Sequence, residues 1–331
     1  MTSRVRAVLL SLGVVTLLVQ APLGARAAAA SVIDAATRYV DRTRLMRDVE
    51  TLAATVFEGR RTGTPGGLKA RRWLIDQFRA IGLTPAGTQE YVQPFTFSAR
   101  DTRALLPDGR PVLSDYAAAN VIGRVSGRET RERLLVITAH YDHLGLRDDV
   151  LFPGADDNAS GVATLLAAAR YFVEHPPRHP IMFAALDAEE LGLRGARALV
   201  DSTLLPRSTV AMNINLDMLS RNDRREIFAA GTFHAPWLKP FLQDVQTRAS
   251  VSILFGHDRP TGRGVELEDW THLSDHGPFH DAGIPFVYFG VEDHPAHHTS
   301  TDTADRIEPR FFGDVADMTI DAVRTFDLRV E

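Results

Sequence analysis

The 331-residue chain carries 12 histidines and 42 acidic residues, and some of them gather directly behind apolar runs. The stretch VITAHYDHLG, residues 136–145, is one case: an apolar run stops at His140, and Asp142 and His143 follow. IMFAAL runs into Asp187, Glu189 and Glu190, VAMNINL runs into Asp217, and IPFVYF leads after a short loop to His297 and His298. A fifth segment, PGADDNASG, sets Asp156 and Asp157 just ahead of an expected helix. A single aspartate after a strand is usually a turn or a helix cap, and a single histidine is usually a satisfied surface or core residue. Five such groups at the same kind of position point instead to one convergent site. The chain has no cysteine. That excludes disulfides, thiolate metal sites and cysteine nucleophiles, so any metal must be held by nitrogen and oxygen. Two imidazoles against several carboxylates suit zinc.

The spacings have a chemical logic. In HYD, residues two apart on an extended chain point to the same side, so Asp142 can reach the second ring nitrogen of His140 and fix its tautomer. In AEE, adjacent glutamates point in different directions, so one can bind metal while its neighbour serves as a base. Asp157 precedes a helix, whose positive end suits a carboxylate, and Gly154 and Gly161 let the backbone turn tightly around it.

Elements must bring these segments together. From Leu134 onward, short continuous apolar runs alternate with helical stretches, the pattern of strands covered on both faces. In open α/β sheets ligands gather beyond the carboxyl ends of the strands, where each of these polar groups falls. Upstream, SVIDAATRYVDRTRLMRDVETLAA has helical spacing, Thr64-Pro65 starts a second helix that Gly82 stops, VQPFTFSA reads as a strand, and Asp108-Gly109 as a hairpin turn. Ser274 and Asp275 read as a helix cap before HGPFHDAG. The first 30 residues have basic Arg4 and Arg6, an apolar stretch from about Ala7 to Val19 and a small-residue tail, the layout of a secretory signal peptide. The expected organisation is a leader over residues 1–30 and one domain over 31–331. The net charge of −5 and the lack of any basic run argue against a nucleic-acid partner.

AHYDHLG, PGADDNASG, DAEELGLRGA, NLDML and HHTSTDT, in this order, resemble the M28 family of zinc aminopeptidases, as do EGRRTGTPGG and LSDHGPFHDAGIPFVYF. The resemblance covers most of the chain behind the leader. It implies a three-layer α/β/α sandwich around a mixed central sheet and two zinc ions as cofactors. It implies that Asp157 bridges the metals, that the Asp157–Asn158 peptide is cis, that His140 and Asp217 complete one site, and that Glu190 and His298 complete the other. Glu189 matches the general base and Asp142 the acid behind His140. The implied substrate is a peptide with a free N-terminus, cut by a water whose proton Glu189 takes. The leader itself, independently of the resemblance, points to a secreted or periplasmic protein that is not inserted in a membrane after leader removal, and a monomer is expected. Several family members carry a tyrosine where this chain has His297, which either donates to the oxyanion or substrate, or faces solvent. His143, His272, His276 and His294 have no assigned match, and structural or surface roles are expected for each. Phe255 to His272, with Trp270, either walls the substrate pocket or forms a surface loop.

Related co-catalytic zinc dipeptidases, carboxypeptidases and deacylases share the ligand order but normally insert a lid domain after the EE segment, and Glu190 to Asp217 is too short for one. A glutaminyl cyclase would need one zinc, against an intact five-ligand set. A binding or receptor-like protein should have lost ligands or the base. No G-x-S-x-G elbow and no H-E-x-x-H helix is present.

Overall fold

The computed structural model describes residues 39–105, 109–129, 133–260 and 267–330. The leader predicted over residues 1–30 lies outside them, as does Asp108 of the predicted hairpin turn. In chain order the strands are β1 (Thr84–Pro85), β2 (Val92–Leu105), β3 (Pro111–Val125), β4 (Leu134–His140), a small hairpin of β5 (Gly145–Arg147) and β6 (Val150–Phe152), then β7 (Ile181–Leu186), β8 (Val210–Leu216), β9 (Glu226–Ala230), β10 (Ser252–Leu254) and β11 (Phe286–Gly290). All but β5 and β6 join one sheet in the order β1-β3-β7-β4-β8-β11-β9-β10, with β2 also paired to β3. The central β7, β4, β8 and β11 are parallel, whereas β3 and β9 run antiparallel to their inner neighbours, so the sheet is mixed.

Both faces are covered, which is why the central strands are apolar at consecutive positions. Leu135, Ile137 and Ala139 of β4 enter the larger core, while Leu134 and Val136 enter a second core on the other face. The larger core takes helices Arg42–Leu52, Pro65–Ile81, Gly161–Glu174, Leu238–Gln246 and Pro309–Arg329. The second takes the shorter helices Arg194–Val200 and His276–Asp281. This is the expected α/β/α layering. None of the described helices is long and apolar enough to cross a membrane.

Local signals set most boundaries. Thr64 accepts from Gly67 N with Pro65 at the first helical position, and Gly82 ends that helix at φ 91°. The helix Arg42–Leu52 is capped by Asp41, whose side chain accepts from Arg44 N; residues 31–38 of the stretch with helical spacing lie outside the described residues.

One buried side chain ties three elements to the edge of the candidate site. Arg60 is fully buried. Its Nε donates to Tyr141 O at 2.9 Å, Nη1 to Leu52 O at 2.8 Å and Pro153 O at 2.7 Å, and Nη2 to Gly154 O at 2.7 Å. Burial lowers its pKa to about 10, so it still carries its charge at neutral pH. Arg60→Met fills similar volume but leaves four buried carbonyls without their donor. The expected loss is on the order of 3 kcal/mol or more, read as a lower urea midpoint at unchanged slope.

Candidate metal centre

The parallel register aligns the strand ends. His140 pairs with Leu186, and Thr138 with Asn215, so His140, the Asp187–Glu190 turn and Asp217 leave the sheet side by side. Ala188 (φ 60°), Met218 (φ 58°) and His298 (φ 54°) all adopt the left-handed region. Disfavoured backbone of this kind is often held at functional sites.

The Asp157 loop is held by buried polar groups. The Asp302 carboxylate accepts from Asp156 N and Asp157 N. Asp156 accepts from Ser220 N at 2.8 Å and Ser220 Oγ at 2.7 Å, and His294 Nε2 lies 2.9 Å from its Oδ2. Asn158 donates to Leu216 O and accepts from Gly161 N, both at 2.9 Å. A Cβ on Gly161 would fall 2.3 Å from Asn158 Oδ1 and 2.4 Å from Leu216 O, so no side chain fits there. The Asp157–Asn158 peptide is cis.

Asp157 is shared between two groups of donors. Its Oδ1 lies 3.3 Å from His140 Nε2, which is also 3.3 Å from Asp217 Oδ1. Its Oδ2 lies 3.0 Å from His298 Nε2, which is 3.4 Å from Glu190 Oε2. Donors placed tetrahedrally around zinc sit about 3.3–3.5 Å apart, the spacing found in the His140–Asp157–Asp217 group; Asp157 also groups with His297 and His298, and with His143 and Glu190, within metal-binding range. The five predicted ligands are therefore brought together. Glu189 lies on the wall of the adjoining cavity, of about 250 Å³, with His297 and His298. Met218, Trp270, Leu273, Tyr288 and Val291 supply its apolar lining. Trp270 thus lies on the cavity, while residues 261–266 of the proposed wall fall outside the described residues.

The other predicted and unassigned residues are placed as follows. His140 Nδ1 is 3.2 Å from the carbonyl oxygen of Asp142 and 3.7 Å from its Oδ1. The His140 Nδ1–H donates mainly to the Asp142 carbonyl, while Asp142 Oδ1 accepts from Glu189 N and Oδ2 from Thr62 Oγ1. His297 Nδ1 lies 3.0 Å from Asp293 Oδ1, and its Nε2 3.5 Å from Asp157 Oδ2. Buried His276 donates to Trp270 O, and exposed His272 meets Asp281, both structural or surface roles. The expected cap at Ser274 and Asp275 is not formed. Ser274 Oγ donates instead to Asp217 Oδ2 at 2.7 Å, because that carboxylate is the stronger acceptor. His143, expected in a structural or surface role, is fully buried with Nδ1 2.8 Å from Glu190 Oε1. Spacing could not reveal this, since a third histidine next to H-x-D has no distinguishing pattern.

The acids make the site attractive to cations. Burial opposes charge on His140, yet Asp217, Glu189 and bonds to Asp142 and Asp157 raise its pKa well above the ordinary value. The bonds to Asp157 and Glu190 push His298 up to about 10. Burial opposes charge on His297 too, and Asp157 outweighs it, raising that pKa. Burial, reinforced by Glu190, Asp275 and Asp217 against the pull of His140, raises Glu189 well above the carboxylate range. Asp275 is fully buried, and among the described residues neither of its oxygens has a hydrogen-bond partner. Burial and the charges of Asp142 and Asp217, opposed by His140, push it up to about 8. A raised folded value means the native chain holds the proton longer than the unfolded one. The stabilisation is full below about pH 4 and is lost as pH rises through about 8. In chelator-treated protein, Asp275→Asn should therefore raise the melting temperature more at pH 8 than at pH 5. Equal shifts at both pH values would count against an isolated buried carboxyl.

The sequence profile of peptidase family M28 matches residues 120–323. The chain belongs to this family. Among the relatives of this M28 chain, the aminopeptidase YwaD of Bacillus subtilis is 27% identical over 287 residues, covering 81% of the chain and 59% of the relative. The chain spans between 51% and 59% of the length of that protein and two fungal relatives from Pyrenophora. An aminopeptidase from Aneurinibacillus superposes with a TM-score of 0.69 at 18% identity, over 87% of the chain and 94% of its own. A glutaminyl cyclase from Bacteroides thetaiotaomicron reaches 0.64 at 17% identity, over 86% and 98%. At these identities the likeness is one of fold, and it agrees with the mixed sheet and flanking helices.

Proposed function

We propose that this M28 chain is a two-zinc aminopeptidase, exported by its leader to the periplasm or the medium, which removes N-terminal residues from peptides as a monomer. The observation that carries this reading is the division of Asp157, with one oxygen on the His140–Asp217 group and the other on the Glu190–His298 group, beside a cavity walled by Glu189. Zinc ions held by those groups would polarise the scissile carbonyl and bring the pKa of a water there close to neutrality.

The chain's residues do the rest. Glu189 takes the proton of the attacking water and passes it to the leaving amine. Asp142 holds both the Glu189 backbone and, through its carbonyl, the His140 ring. His297 offers an N–H from the cavity wall to the developing oxyanion. Glu268 and Asp293 on the lining set negative charge near a free α-ammonium group, and the apolar lining receives the first side chain.

Metal analysis with a panel of aminoacyl-arylamides, N-acylated controls and N-terminal glutamine peptides tests the reading. Two zinc equivalents per chain and cleavage of free-amino substrates alone are expected. Cleavage confined to blocked substrates, or glutamine cyclisation with a single zinc, would overturn it.

A further inference from the structure

The Glu190 side of the centre holds one more donor than the five ligands assigned above. His143 is fully buried, and its Nδ1 lies 2.8 Å from Glu190 Oε1 and 3.4 Å from Asp157 Oδ2. At 2.8 Å a hydrogen bond would be expected, yet the angles do not allow one. Among the described residues neither ring nitrogen of His143 has a hydrogen-bond partner, and neither has Glu190 Oε1. Two buried polar groups that close, not aligned for a hydrogen bond with each other and both facing Asp157, are placed like ligands of a shared cation.

The surroundings agree. Nδ1 of His143, Asp157 Oδ2 and Glu190 Oε1 form a compact group of metal-type donors. The ring of His298 approaches the same carboxylates, with its centroid 5.9 Å from that of His143. The ring is held in place by backbone: a Cβ on Gly154 would fall 2.5 Å from both Cγ and Cδ2 of His143. The loop that carries Asp157 therefore also presses the imidazole toward it.

We infer that His143 is a further metal ligand, its Nδ1 joining Asp157, Glu190 and His298 on one of the two zinc ions. This rests on the two-zinc reading above. It gives that position two imidazoles against one on the His140–Asp217 side, and so a firmer hold on its ion.

Chelator competition on His143→Ala, with circular dichroism to confirm folding, measures the affinity of each zinc equivalent. One equivalent should weaken by at least about tenfold while the other keeps its affinity. A crystal structure of the unmodified zinc-loaded chain gives an answer even where the variant does not fold, and should place Nδ1 about 2.0–2.1 Å from an ion. Unchanged affinity for both equivalents, or a ring beyond bonding distance in that crystal, overturns the inference and leaves the two-zinc reading intact. An unmodified chain that binds fewer than two zinc ions overturns both.

Discussion

Glu189→Gln should lower turnover of aminoacyl-arylamides by at least about 10²–10⁴-fold while the chain keeps its full zinc content. The amide matches the carboxylate in size and can still line the cavity, but it cannot take a proton. Glu189 is suited to that task by its surroundings. Its backbone N–H is fixed on Asp142 at 3.1 Å, and Ala188 before it adopts the left-handed region. Burial and the neighbouring acids raise its proton affinity. Zinc content and turnover are measured on the same preparation. Near-normal turnover would remove Glu189 from the role of base. Loss of zinc together with activity would mean that it holds metal instead.

Asp157→Asn should be the most damaging single change to metal binding, because one carboxylate serves both groups of donors. Burial works to raise the pKa of Asp157, but the charge of His143 and the bonds from His140, His297 and His298 hold it well below the carboxylate range. It is therefore an anion in all ordinary conditions. Asparagine keeps the shape, removes the charge and turns one oxygen into a donor, so both zinc equivalents should be lost to a mild chelator. Glu190→Gln is the control: it touches only the second group and should release one equivalent. If Asp157→Asn also released only one, the residue would be a ligand of one ion and not a bridge. Activity lost with the metal should return on adding zinc to the unmodified chain but not to Asp157→Asn.

The residues differ in how readily the sequence reveals them. His140, Glu190, Asp217 and His298 are legible because each ends or follows an apolar run long enough to be a strand, and parallel strands in register bring their ends together. The helix start at Thr64 follows from capping chemistry. By contrast β1, β5, β6 and β10 are two or three residues long, too short for a periodic pattern. Ser274 and Asp275 look like a cap in one dimension, and only the fold reveals that Asp217 competes for the serine. His143 and Asp302 depend on partners distant in sequence: Asp302 takes two backbone N–H groups of a loop 145 and 146 positions away.

Arg60 carries a consequence for where the functional unit begins. The family profile starts at residue 120, but the loop before Asp157 is anchored through Pro153 and Gly154 by an arginine sixty residues upstream of that boundary. Thr62 from the same segment also reaches Asp142 and Asp187. The stretch recognised by its kinship is therefore not self-sufficient. Two side chains from the preceding segment are part of the scaffold of the centre, and an excised fragment beginning at Asn120 would contain all five assigned ligands yet lack the buried cation that holds their loop in register.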